Sequence, residues 1–86
     1  MRARRRPVLD RVDRAGEAVV LVGRRVVRLS PLAVSLLDGC EDWTADVTLA
    51  SALVAQFGTP PGGQTPLEST QAALRDLEAE GLVECD

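Results

Sequence analysis

The stretch Arg25-Val26-Val27-Arg28-Leu29-Ser30-Pro31-Leu32 decides the fold, because the hydrophobic period changes within it. Upstream of Leu29 the apolar residues come in short β-branched runs, Val19 to Val22 and then Val26-Val27, broken by Gly16 and Gly23. Downstream they recur at helical spacing. Ser30 is a natural N-cap, and Pro31 fits the first helical position, where its missing N–H costs nothing. The order is therefore three strands and then three helices, with no helix before residue 30 to cover the last strand. Arg25 to Leu29 is expected to be a sheet edge with unpaired backbone groups, and an open edge can accept a peptide.

Working outward, Pro7 to Asp13 reads as the first strand, Arg14-Ala15-Gly16 as a turn, Glu17 to Val22 as the second strand and Gly23-Arg24 as a type II′ connection to the third. In that third strand Val27 and Leu29 share one face, Val26 and Arg28 the other. Val27 and Leu29 are assigned to the helices, since Leu29 leads straight into the first of them. That helix runs from Pro31 to Asp38-Gly39 and buries Leu32, Leu36 and Leu37. The second, Asp46 to Phe57, buries Leu49, Leu53 and Phe57 before Gly58 ends it. Thr59 to Gln64 is a loop, and Thr65-Pro66-Leu67-Glu68 is a capping box for the third helix, which buries Leu67, Leu74 and Leu77 and stops at Gly81. Leu82 and Val83 then fold back to seal the core. Trp43 is expected to cap the corner between the first two helices. Residues 1–7, with Arg2, Arg4, Arg5 and Arg6, read as a disordered basic tail ahead of one domain over residues 8–86. The predicted class is α+β, winged helix-turn-helix-like, with a three-stranded antiparallel sheet followed by three helices.

Composition narrows the function. At 86 residues the chain has room for a binding module and hardly for an enclosed active site. It contains no His and no Lys, so the usual general bases and Schiff-base nucleophiles are absent, and no catalytic residues are predicted. Cys40 and Cys85 stand alone, without the spacing of a zinc site, and reduced thiols are expected, Cys40 the more buried. No cofactor or metal is implied. The longest apolar run, Ala18 to Val22, is far too short for a bilayer, and a cytoplasmic protein without membrane contact is expected. Charge is divided: residues 1–28 carry nine Arg against three acids, a balance of +6, and residues 29–86 carry one Arg against ten acids, a balance of −9, which together give the net −3. Such a dipolar molecule steers charged partners.

The run Arg28-Leu29-Ser30-Pro31-Leu32-Ala33 through Leu36-Leu37-Asp38-Gly39-Cys40, then Leu49 to Phe57-Gly58, then Leu74-Arg75-Asp76-Leu77-Glu78-Ala79-Glu80-Gly81-Leu82-Val83, resembles the PqqD family in order and spacing. These small winged-helix proteins, also called RiPP recognition elements, bind the leader segment of ribosomally made precursor peptides. The resemblance covers about residues 17 to 84. It implies a stand-alone recognition protein in which the leader adds as a strand along the third strand, in a cleft walled by the third helix. The peptide-binding residues would be Arg24, Arg25, Val26, Val27, Arg28 and Leu29 on the strand, with Ala72, Arg75, Asp76, Ala79 and Glu80 on the helix. Arg24, Arg25 and Arg28 would make one wall basic, Asp76 and Glu80 the other acidic. The implied partners are the leader peptide and a modifying enzyme, either a leader peptidase as in lasso-peptide pathways or a radical S-adenosylmethionine enzyme.

Two rival functions stay open. A winged-helix nucleic-acid binder shares the architecture, but its recognition helix should be basic, whereas Glu68, Arg75, Asp76, Glu78 and Glu80 sum to −3. A structural interaction subunit would instead pair edge to edge, as a homodimer through the third strand or with an enzyme.

Overall fold

The computed structural model describes residues 1–86. Along the chain come β1 (Arg2–Arg5), β2 (Asp10–Arg14), β3 (Glu17–Val22), β4 (Arg25–Leu29), α1 (Pro31–Gly39), β5 (Thr44–Ala45), α2 (Asp46–Phe57), α3 (Pro66–Ala79) and β6 (Val83–Cys85). The fold is α+β, two small antiparallel three-stranded sheets with three helices, compatible with a winged-helix-like domain. The main sheet has the order β2-β3-β4, and the smaller one β5-β1-β6.

Two tight turns set the register of the main sheet. Ala15 (φ 53°) and Gly16 (φ 81°) are both left-handed, the type I′ geometry whose twist matches the strands it joins. At the next turn only Gly23 (φ 60°) is left-handed, as type II′ requires. Val22 then faces Arg25, Val20 faces Val27 and Ala18 faces Leu29. Ala18, Val20 and Leu29 are buried under the helices, and Val26 on the opposite face is 71% exposed. The expected alternation in β4 therefore holds, with Val27 half-buried against the core.

Helix ends follow the sequence signals closely. Ser30 Oγ accepts the Ala33 N–H, and Thr65 Oγ1 accepts that of Glu68 at 3.1 Å. Glu68 returns the contact to the Thr65 hydroxyl, at 2.9 Å, rather than to the Thr65 backbone. Leu36, Leu37, Leu49, Leu53, Leu74 and Leu77 bring the three helices together over the sheet, and Leu82 with Val83 closes the core at 0% and 1% exposure. Each such side chain contributes roughly 1.5–3 kcal/mol by burial.

The N-terminal segment corrects the sequence reading most. Arg2–Arg5 is no disordered tail but the central strand of the second sheet, with Arg2 opposite Ala45 on one side and Arg4 opposite Glu84 on the other. The physical reason is alternation on a scale too short to stand out. Ala3 points inward and is wholly buried, and Arg2 and Arg4 lie together over the Trp43 ring, their guanidinium carbons 5.4 and 5.0 Å from its centroid. The acidic C-terminus supplies counter-charges, Asp86 to Arg2 and Glu84 to Arg4. Trp43, in the α1–α2 connection, is thus half-buried beneath the arginines of β1. The ordered domain accordingly starts near residue 2, not at residue 8. Four smaller differences follow: the first meander strand is Asp10–Arg14 instead of Pro7 to Asp13, Phe57 at the end of α2 is 43% exposed, and Leu32 in the first turn of α1 and Leu67 in the first turn of α3 are half-buried.

Candidate functional site

Sheet order leaves β4 as an edge, and its register tells which backbone groups are free. In a two-residue hairpin the closing pair exchanges both hydrogen bonds, and pairs then alternate between bonded and non-bonded. Val22–Arg25, Val20–Val27 and Ala18–Leu29 are therefore the bonded pairs. The N–H and C=O groups of Val26 and Arg28 point the other way, off the sheet. The two-residue hairpin, through its closing pair Val22–Arg25, sets this parity.

α3 approaches β4 at one end only. The Arg25 guanidinium donates to Glu80 Oε2 at 2.6 Å and to the Glu80 carbonyl at 2.7 Å, tying the start of the strand to the end of the helix. Gly81, in the left-handed conformation at φ 79°, continues this closure: a Cβ there would meet Val22 Cγ1 at 3.7 Å. From that latch the edge of β4 runs free toward Leu29. Both partners of the latch are about half exposed, so the ion pair is worth well under ~1 kcal/mol and can open for a ligand.

Helical geometry sorts the residues expected on α3. Thr70, Leu74 and Leu77 face the core. Glu80 marks the β4 side, and Ala73, Asp76 and Leu77 lie on the same flank, three to seven positions earlier. Glu78 marks the opposite side, where its carboxylate accepts the Cys85 N–H of β6, and Gln71 on that side donates to Asp46. Arg75 belongs with Glu78 and Gln71, close enough to Cys85 to influence its thiol, so it stands away from the cleft. Ala72 and Ala79 are exposed on the surface opposite the core. The structure brings Arg25 and Glu80 together, sets Asp76 on the same flank of α3 by helical spacing, turns Val27 toward the core, and leaves Arg24 exposed in the turn and Arg28 on the outer sheet face. Ala73, half-buried against the core and absent from the sequence reading, lies on the Glu80 flank of α3. Its position one turn before Leu77 is the signal that would have found it.

The basic wall is thinner than the arginine count implies. Arg25 is spent on Glu80, and Arg28 shares its face with Val19 and not with α3. Arg4 and Arg5, expected to be mobile, are held by Glu84 and by Asp38 with Glu41.

Elsewhere the shifted groups are structural. Hydrogen bonding from Gln71, with help from the N-terminal ammonium 3.7 Å away, holds the Asp46 carboxyl below the usual carboxylate range. Arg11 does the same for Asp13, and Arg2 for Asp86. Burial pushes up the Cys40 thiol, and burial together with Glu78 pushes up that of Cys85, so neither is an activated nucleophile. No three His, Cys, Asp or Glu side chains gather into a metal-binding group, and no helix is long and apolar enough to cross a membrane. An apolar hollow of about 170 Å³ lies between Leu32, Leu53, Phe57 and Pro60, away from the free edge of β4. What β4 offers a ligand is main-chain pairing. Comparison with family models, with curated proteins and with solved structures finds no match to this chain.

Proposed function

We propose that this domain is a peptide-recognition module that takes up an extended segment by strand addition to β4, and that the segment is the leader of a ribosomally made precursor peptide. The observation that carries the reading is the pair of outward-facing residues, Val26 and Arg28, each with a free N–H and C=O on the open edge of the main sheet. Four backbone hydrogen bonds at ~0.5–1.5 kcal/mol each, with two apolar anchors at ~1.5–3 kcal/mol, leave a complex near the micromolar range after ordering costs. That strength suits capture and release. The PqqD-like order of elements supports a leader as the ligand, and a modifying enzyme or leader peptidase as the recipient of the captured precursor. Catalysis then belongs to that partner, and the domain serves in the cytoplasm without a cofactor.

A specific observation favours peptide over nucleic acid. Arg2, Arg4, Arg5, Arg11 and Arg25 are all engaged with carboxylates of the same chain, and α3 is acidic. Arg6, Arg14, Arg24, Arg28 and Arg75 remain to meet a phosphate backbone, but the helix that would enter a groove is not basic. Fluorescence polarisation with the two labelled halves of a candidate precursor peptide, leader and core, tests the proposal. The leader half should bind near micromolar strength and the core half should not. Equal binding of both halves, or displacement of the leader by duplex DNA at low salt, would overturn it.

A further inference from the structure

β4 is one edge of the main sheet, and β2 is the other. Its sequence, Asp10-Arg11-Val12-Asp13-Arg14, has a property that no other strand of the chain shares: set antiparallel to a copy of itself about Val12, it places Asp against Arg at every charged position. Asp10 meets Arg14, Arg11 meets Asp13, and Val12 meets Val12. An edge guarded against self-association carries one sign of charge, because like charges directly opposite each other are destabilising. β2 carries the reverse of that protection.

The backbone selects the same register independently. Closure of the type I′ turn makes Arg14–Glu17, Val12–Val19 and Asp10–Leu21 the bonded pairs to β3, which leaves the N–H and C=O of Arg11 and Asp13 facing outward. The Arg11 N–H indeed finds only the carboxylate of its neighbour Asp10, at 2.8 Å. Two antiparallel copies can bond only through these outward residues, so three registers are open. Centring on Arg11 opposes Arg11 to Arg11, and centring on Asp13 opposes Asp13 to Asp13. Centring on Val12 pairs Arg11 with Asp13 twice, for four intermolecular backbone hydrogen bonds, and is the register with full charge complementarity. It also covers Val12, 63% exposed in the single chain, with its own copy.

We infer that β2 is a homodimer interface, joining two copies across a two-fold axis at Val12 into a continuous six-stranded sheet. Arg11 keeps its bond to Asp38 in α1 at 2.9 Å while its Asp13 contacts are shared across the seam. Since β2 and β4 are opposite edges, the dimer leaves both copies of β4 open, and the inference does not rest on the function proposed for β4. A seam of one strand on each side buries far less than the ~800 Å² per partner of a standard interface, so association in roughly the ten to several hundred micromolar range is expected.

Sedimentation equilibrium on the whole chain from ~5 μM to ~1 mM, at low and at high salt, tests the interface. The wild-type chain should be a concentration-dependent dimer that weakens with salt. Asp10→Arg and Arg14→Asp each set two like-charge contacts into the seam and should weaken the dimer by roughly tenfold or more, and the double variant should restore it. Asp13→Pro removes an outward N–H and should abolish dimerisation while circular dichroism stays native. A wild-type chain monomeric up to ~1 mM would overturn the inference. So would a dimer indifferent to the single charge reversals, or a double variant that folds and stays monomeric.

Discussion

Proline scanning of β4 separates the two faces of the strand's backbone with a single atom. At Val26 the N–H points off the sheet and the side chain is 71% exposed, so Val26→Pro removes neither a ladder bond nor a buried contact. Its effect on folding should stay below about 1 kcal/mol, because proline is tolerated on an edge whose N–H faces solvent. At Val27 the N–H pairs with the carbonyl of Val20, a residue 1% exposed. Val27→Pro loses that bond, strands the buried carbonyl at ~1–3 kcal/mol and sets the ring against the neighbouring strand, for a total of about 3–5 kcal/mol. A domain of this size has little more than that in reserve. Urea denaturation followed by circular dichroism measures the first quantity, and polarisation of a labelled leader peptide measures the second. Val26→Pro should fold like the parent and bind at least tenfold more weakly, while Val27→Pro should be largely unfolded. Similar stability losses from the two prolines would show that the hydrogen-bond parity of β4 is not as described, and unchanged peptide affinity in Val26→Pro would refute strand addition there.

Three further outcomes follow from other parts of the molecule. Ala3→Glu forces a carboxylate into a site of 0% exposure between β5 and β6 and should destabilise the chain by more than ~3 kcal/mol in the same denaturation assay, which a disordered tail would not. Arg25→Gln opens the latch to Glu80; stability should change by less than ~1 kcal/mol, but the amide resonances of Glu80 and Gly81 should shift, and an unaltered spectrum would deny the contact. Asp13, Asp46 and Asp86 are all held below their ordinary value of 3.8, so the stability they contribute is present above that pH and is lost as the pH falls through their depressed values. The contribution of these three groups should therefore fall away below about pH 3.8, and Asp46→Asn should lower stability at pH 7 while flattening the loss toward low pH.

Where the sequence carried local signals, structure could be read from it. Ser30-Pro31 and Thr65-Pro66 announce helix starts through caps that satisfy backbone donors within three residues, and both caps form. Gly23 announces the hairpin because only a left-handed first turn residue closes it, and that hairpin fixes β4. Long-range pairing carried no comparable signal. Nothing within Arg2-Ala3-Arg4-Arg5 specifies a strand: it is one only because Thr44-Ala45 and Val83-Glu84-Cys85 arrive on its two sides with acids and a tryptophan to receive its arginines. The site divides in the same way. The strand half, Val26 to Arg28, follows from alternation; the helix half depends on how α3 is rotated, and that is set by Glu80 meeting Arg25 and Glu78 meeting Cys85, contacts between residues 55 and 7 positions apart.

Hydrogen exchange at four consecutive amides tests the central claim most directly. In the free domain the N–H groups of Val27 and Leu29 should be protected by β3, while those of Val26 and Arg28 exchange at nearly the rate of an unstructured chain. Addition of saturating leader peptide should slow Val26 and Arg28 by tenfold or more and leave Val27 and Leu29 protected as before. If the peptide binds and the exchange of Val26 and Arg28 does not change, it does not add to β4, and the account of this domain as a strand-addition module is contradicted.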